Sequence, residues 1–342
     1  MRVFLSKDNG IGFTDENRDS FDTLYSDYKL SQRGKGFGRF TCLKYFEDLE
    51  IESIYQDGKQ FKSRRFRMGK GNDIIVDEEC ADSEETETRT SVELARVKDG
   101  RFTDKKLPTI ARVLAERLLP YFIDQDYNCP SIAVSESDGS VRIVLNDYVS
   151  NQLSALIKEI KLSSNSFSLQ GNNIEYGFRV RLFKFYSPKN QRSKISLVAH
   201  RREVTDTAIH NYIPEFTEEF YDKQSDGSDD RDRNYVVKAY VFGDYLDENV
   251  SLERGGFEFQ KESDLIHGVS QADIEKEAAE ISRTAIGDEI TARQEKKKER
   301  VQSYVDDEAP WHRAILKSVD LSSMPYNPSK EEIELRLQKE KH

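Results

Sequence analysis

Residues 3–13 read VFLSKDNGIGF and residues 34–49 read GKGFGRFTCLKYFEDL. In the first stretch Val3, Phe4 and Leu5 suit a short strand that runs into Asp8-Asn9-Gly10-Ile11-Gly12-Phe13. Asp-Asn-Gly is turn chemistry, so a turn aspartate is the ordinary reading of Asp8. In the second stretch Phe40, Leu43, Phe46 and Leu49 recur every third residue, which predicts a helix over 39–49. Gly34-Lys35-Gly36-Phe37-Gly38 opens that helix. It is neither a dinucleotide fingerprint nor a P-loop, because no strand precedes it, its last glycine is misplaced and it has no Lys-Ser/Thr. What it offers is a set of backbone N–H groups at a helix N-terminus, a disposition suited to phosphate.

Working outward, the chain has 342 residues, enough for two domains and an appendage. Its formal net charge of −11 weighs against broad non-specific nucleic-acid binding. No run of about 20 apolar residues exists, which excludes a membrane-spanning helix, and the N-terminus has no secretory h-region. Cys42, Cys80 and Cys129 lie far apart without a CxxC pair, a pattern of a reducing compartment, so a cytoplasmic location is expected. Five scattered histidines give no metal-ligand spacing.

Residues 73–87 are acidic and predict a solvated loop or hairpin, and residues 90–94 (TSVEL) a strand. Residues 107–119 have helical periodicity, with Pro108 in the first turn and Pro120 as terminator. From 175 to 259 the branched and aromatic runs EYGFRVRLFKFY, KISLVAH and NYVVKAYVFG predict strands. Residues 224–233 lack apolar side chains and read as a loop. Residues 270–304 read as charged helix, and Ser329 to Glu332 as a capping box. Residues 59–70 interleave six basic residues with Phe61 and Phe66. A solvated strand face offset by the acidic run after it is favoured over a nucleic-acid surface.

The two glycine stretches, in this order and followed by a helix, resemble the GHKL ATPases: gyrase, the ninety-kilodalton heat-shock chaperone, histidine kinases and MutL. The resemblance implies that Asp8 accepts a hydrogen bond from the adenine amino group. Gly10 and Gly12 let the backbone approach the base, and Gly34, Gly36, Phe37 and Gly38 form the box that cradles the phosphates. Residues 14–33 would be the lid. Thr90 resembles the threonine that helps hold adenine, although Arg89 stands where the family has glycine. Further on, residues 245–259 (YLDENVSLERGGFEF) resemble the MutL segment D-x-N-V-H-P-x-K, which puts Arg254 at the lysine that reaches the γ-phosphate. Ser251 and Leu252 depart from that pattern. Residues 198–204 (VAHRREV) resemble the VNGRxV strand, with Arg202 at its arginine and His200-Arg201 in place of Asn-Gly.

The resemblance therefore implies an α+β chain: a partial Bergerat (GHKL) ATP-binding α/β sandwich over 1–102, a connector helix and S5-like transducer domain over 103–262, and a charged helical tail over 263–342. ATP and Mg²⁺ are the implied cofactors. The family's upstream helix, whose glutamate activates water and whose asparagine ligates Mg²⁺, has no match, so the domain is expected to be N-terminally incomplete, with a missing segment, a partner subunit or a homodimer completing it. Two functions follow: a nucleotide-driven conformational clamp or switch acting on a protein or DNA client, or a non-catalytic scaffold built on an incomplete fold.

Overall fold

Leu49, Ile51, Phe66 and Met68 decide the first sheet, because each is buried and each pair is two residues apart along a strand, so all four side chains share one face. A computed structural model describes residues 3–23, 38–98, 106–149, 156–222, 233–251, 255–262, 268–321, 324–325 and 328–340. It divides into two compact units, Met1–Lys105 and Lys106–His342.

The first unit contains β1 (Val3–Asp8), α1 (Asp15–Asp22), α2 (Gly38–Tyr45), β2 (Phe46–Asp57), β3 (Gln60–Met68), β4 (Ile75–Ser83) and β5 (Arg89–Val97). The strands lie in the order β1-β5-β2-β3-β4 and every neighbouring pair is antiparallel. The expected helix over 39–49 ends at Tyr45, and Phe46 and Leu49 belong to β2. The threefold spacing was coincidental beyond Leu43, because pairing with β5 over residues 48–54 and with β3 from residue 50 onward satisfies the backbone there.

One face of this sheet carries the core of Leu49, Ile51, Phe66, Met68 and Ile75, covered by Phe21 of α1 and by Phe40 and Leu43 of α2. Phe13, Phe21 and Phe66 meet edge-on with centroids 5.2–5.5 Å apart. Residues between them on the strands face the other way and pair in solvent: Arg65 with Glu50, Arg67 with Asp77, Arg96 with Asp48. The basic run of 59–70 is thus a strand with an ion-paired outer face. The acidic run after it is chiefly an edge strand, β4, which pairs antiparallel with β3, so of the expected loop or hairpin it is the hairpin that forms. Its Asp77 and Glu78 supply the opposing charges, Glu78 to Arg18 and Arg64.

The second unit begins with α3 (Leu107–Ile123), which continues three residues past Pro120. Losing one helical hydrogen bond is outweighed by burying Leu119 and Ile123, at about 1.5–3 kcal/mol each. After the hairpin of β6 (Ala133–Ser135) and β7 (Arg142–Val144) comes the second sheet. It is built from β8 (Ile157–Ile160), β9 (Ser166–Gly171), β10 (Ile174–Tyr186), β11 (Lys194–Ala199), β12 (Arg202–Glu203), β13 (Thr207–Ala208), β14 (Phe220–Asp222) and β15 (Arg233–Phe242). The main path runs β12-β11-β15-β10-β8, with β11 parallel to β15 and the other pairs antiparallel. On one face Leu119 and Ile123 of α3 meet Phe183, Phe185, Val198, Val236 and Tyr240. On the other, Val180, Leu182, Val237, Ala239 and Val241 meet Ile274 and Ala278 of α5 (Gln271–Ala285) and Ile290 of α6 (Gly287–Asp307). Between β15 and α5 lies the short α4 (Asp244–Glu248).

The charged helical stretch of the sequence is two helices, broken at Ile286-Gly287. The first is capped by Ser270 and Asp273, a reciprocal pair in which aspartate does the work of the usual glutamate. The expected capping box at the last helix, α7 (Lys330–Lys339), is present: Glu332 N–H donates to Ser329 Oγ and Ser329 N–H to Glu332 Oε2. Of the segment expected as a loop over 224–233, Arg233 is the first residue of β15 and the rest lies outside the described residues. None of the described helices is long and apolar enough to cross a membrane.

Candidate functional site

Strand register aligns one polar residue from each strand of the first sheet. Asp8 of β1 lies opposite Thr90 of β5, Thr90 opposite Ser53 of β2, Ser53 opposite Arg64 of β3, and Arg64 opposite Cys80 of β4. Two residues along, the row is Ser6, Val92, Ile51 and Phe66, and the next is Phe4, Leu94, Leu49, Met68 and Ile75. The core face thus ends in a polar row at the end of β1 that carries Asp8.

The loop from β1 to α1 crosses this row and is fastened to it. Phe13 N–H donates to Ser53 Oγ at 2.9 Å, and the Arg64 guanidinium donates to Phe13 O at 2.8 Å and to Asp15 Oδ1 at 2.5 Å. Both backbone groups of Phe13 are therefore held by side chains of the sheet. Ser53 is fully buried and shares its hydroxyl with Thr90 Oγ1 at 3.1 Å and Arg89 O at 3.1 Å. Arg64 lies over the Tyr55 ring, 4.9 Å from its centroid, with its side chain only 7% exposed. Its hydrogen bond and charge hold the Asp15 carboxyl below the usual carboxylate range. Asn17 Nδ2 donates to Gly12 O at 2.7 Å, and Thr14 caps α1 by accepting from Asn17 N–H.

The two first-box glycines do different things. Gly12 has φ +80, and a Cβ on it would come within 2.6 Å of Ile54 O and 2.9 Å of Ser53 Oγ. Only glycine lets the loop lie this close to β2. Gly10 N–H donates to Asp8 Oδ1 at 2.8 Å, and a Cβ on Gly10 would come 2.9 Å from that oxygen. Gly10 therefore fixes where the Asp8 carboxylate stands, exposed at the strand end.

Of the residues singled out from sequence, the fold brings Asp8, Gly10, Gly12 and Thr90 together. Gly38 is the first residue of α2. Gly34, Gly36, Phe37 and Arg254 lie outside the described residues. Ser53, Arg64 and Asp15 were missed as site residues: Ser53 carried no motif, and Arg64 was hidden among the other basic residues of β3.

In the second unit the two further motifs meet. The VAHRREV segment is β11, a two-residue turn and β12. His200 and Arg201 of the turn have φ +47 and +62, where Asn-Gly is the favoured pair. Asp247 of the DENV segment accepts His200 N–H at 2.7 Å, and its backbone carbonyl lies 3.0 Å from His200 Nε2. Arg201 pairs with Asp124 and covers the Tyr127 ring at 4.5 Å.

No family profile matches the chain, and no curated protein is significantly similar to it. Among solved structures it is similar to the 43K ATPase domain of Thermus thermophilus gyrase B, at 14% identity over 87% of this chain and 83% of that one, with a TM-score of 0.35. It is similar to the ATPase region of Saccharomyces cerevisiae topoisomerase II at 11% identity over 84% and 77% of the two chains, with a TM-score of 0.39. Both are GHKL ATPase domains, the family that the glycine stretches resemble. Superposition as loose as this assigns neither a site nor an activity.

Proposed function

We propose that the chain is the ATP-binding module of a GHKL-type ATPase, working as a nucleotide-driven clamp or switch. One observation supports this above others. Asp8 and Thr90, taken from sequence stretches more than eighty residues apart, are direct cross-strand partners beside a glycine loop clasped to Ser53 and Arg64.

The residues present fit an adenine. A base edge needs one acceptor for its amino group and a wall without a protruding Cβ. Asp8 offers a carboxylate whose Oδ1 is steadied by Gly10 N–H, and the Gly10–Gly12 segment keeps the wall thin. ATP would supply the chemistry of a transferable phosphoryl group. Asp8 orients the base, Thr90 and Ser53 hold the strand ends in register, and Arg64 keeps the loop down. Mg²⁺ does not fit equally: no group of three His, Cys, Asp or Glu among the described residues could hold a metal ion, so no step is drawn through it. Arg254 is the proposed γ-phosphate sensor by motif alone, the order of connector and S5-like transducer follows the same resemblance, and so does dimerisation.

The test is titration calorimetry of the full chain with ATP, GTP and ADP. Saturable adenine-selective binding, weakened about tenfold or more by Asp8→Asn, is expected, since one charged hydrogen bond contributes about 1.5–3 kcal/mol. Binding indifferent to the base, or to Asp8→Asn, would leave the scaffold reading in its place.

A further inference from the structure

We propose that Glu78, on the edge strand β4, is a positioning residue for the loop that carries Asp8, Gly10 and Gly12, a role that rests on the adenine-binding reading of that loop. Its partners are two arginines, one on the sheet and one on α1. Through them a carboxylate on the far edge of the sheet sets how firmly the loop is held.

Arg64 grips the loop through Phe13 O and Asp15 Oδ1. Its Nε has no hydrogen-bonded acceptor among the described residues and lies 3.2 Å from Glu78 Oε1, so charge rather than an aligned bond joins the two. Arg18 takes the same carboxylate from α1. Its Nε donates to Oε1 at 3.2 Å and to Oε2 at 3.1 Å, and its Nη2 donates to Oε2 at 2.8 Å. Asp19 and Asp22 of the same helix accept from Arg18 Nη1, which leaves the other two nitrogens aimed at β4. One carboxylate thus joins β3, β4 and α1 where the loop ends. Asp15 is the other anion on Arg64, but its side chain is 80% exposed against 27% for Glu78. Water screens the exposed pair more, so Glu78 has the stronger hold on the buried guanidinium.

The backbone of β4 is shaped to put Glu78 there. Arg65 pairs with Glu79 and Arg67 with Val76, so Asp77 and Glu78 together oppose Phe66 alone, which makes a β-bulge. Asp77 takes φ +54 to form it, a left-handed value that aspartate adopts more readily than most residues. Regular alternation would send Ile75 to the face opposite Glu78. With the bulge, Ile75 lies in the core while Glu78 stays on the face of Cys80, which is opposite Arg64. The bulge therefore serves an apolar residue and an acidic one at once, and re-aiming a side chain beside a site is a common use of such an irregularity.

Hydrogen exchange by mass spectrometry on the nucleotide-free full chain, then calorimetry with ATP and GTP, tests the proposal. Phe13 N–H donates to Ser53 Oγ and Arg18 N–H to Thr14 O, so peptides spanning 9–19 report the loop. Glu78→Gln should speed their exchange about tenfold, the loss of one charged hydrogen bond, and leave β2 and β5 unchanged. ATP affinity should fall by about the same factor and GTP affinity little, so that base selectivity narrows. A general loss of stability would weaken both nucleotides alike. Arg18→Gln should reproduce the pattern, and the double variant should add little to either change, since both break one link. Glu78→Asp, which keeps the charge, should recover most of the protection. Loop exchange in Glu78→Gln within about twofold of the parent would overturn the proposal, as would equal loss of protection in β2 and β5, or unchanged affinity for ATP. A parent chain that binds no ATP refutes the adenine reading instead, and loop exchange alone then decides for or against Glu78.

Discussion

Ser53→Ala tests whether the polar row holds the glycine loop. The substitution removes an oxygen that accepts from Phe13 N–H at 2.9 Å and is shared with Thr90 Oγ1 and Arg89 O. Arg89 lies in the β2–β5 ladder, so its carbonyl keeps backbone company. Phe13 N–H and the buried Thr90 hydroxyl do not. A buried donor stripped of its acceptor costs about 1–3 kcal/mol, so a total near 2–3 kcal/mol is expected. At 1.4 kcal/mol per factor of ten, that is about a 30- to 140-fold rise in amide exchange through the unfolding of this unit. Hydrogen exchange by mass spectrometry on the full chain reads it directly: peptides of β2 and β5 should exchange faster, those of β10 and β15 should not change. Thr90→Val should cost about 1 kcal/mol or less, and the double variant less than the two together, because both lose one shared bond. Exchange of β2 and β5 within about threefold of the parent would show that the loop is held by its apolar packing and that the row is incidental.

Other outcomes follow from the same geometry. Gly12→Ala should destabilise the first unit by about 2–4 kcal/mol in urea unfolding, since it adds left-handed strain to a clash with backbone and side-chain atoms of β2. Gly10→Ala meets only the end of the Asp8 side chain, which can turn aside, so stability should stay within about 1 kcal/mol while ATP affinity falls as the carboxylate is displaced. Lys238 is buried beside Glu116, 3.5 Å away, and burial pushes its ammonium down to about 8, with Glu116 offsetting only part of that. The unfolded chain keeps this proton to about 10.4, so between those values unfolding takes up a proton and stability rises with pH. Lys238→Met should flatten that slope by up to about 1.4 kcal/mol per pH unit, measured by unfolding at several pH values. ATP bound by the chain alone should remain unhydrolysed over hours, because nothing among the described residues matches the Mg²⁺-ligating asparagine. Turnover abolished by Asp8→Asn would refute that expectation.

Much of the fold was legible from residue type. β1 ran into its turn as expected, the aromatic and branched runs after residue 174 became strands, and Ser329 capped its helix. What misled was polarity on a buried face. In β2 the inward positions are Leu49, Ile51, Ser53 and Tyr55, and a buried serine interrupts the apolar alternation that marks a strand. In β4 only Ile75 is buried and apolar, and the remainder is an acidic edge whose partners are arginines on other elements. The glycines of the first box could be read from sequence. Why Gly12 must be glycine could not, because its neighbour is Ile54 O, forty-two residues away.

The strand order also dictates a sequence of events in folding. β2, β3 and β4 form a meander whose turns join neighbours in the chain, and such hairpins close in microseconds. β1 joins last in topological terms, since its partner β5 is paired Val3 with Ala95 and Asp8 with Thr90 across almost the whole unit. Closing so long a loop costs entropy that only the completed pairing repays. The arrangement of Asp8 beside Thr90 therefore exists only once the slowest contact of the unit has formed. A nucleotide held at Asp8, as proposed, would therefore act as a clasp on the two ends of the segment that makes its site.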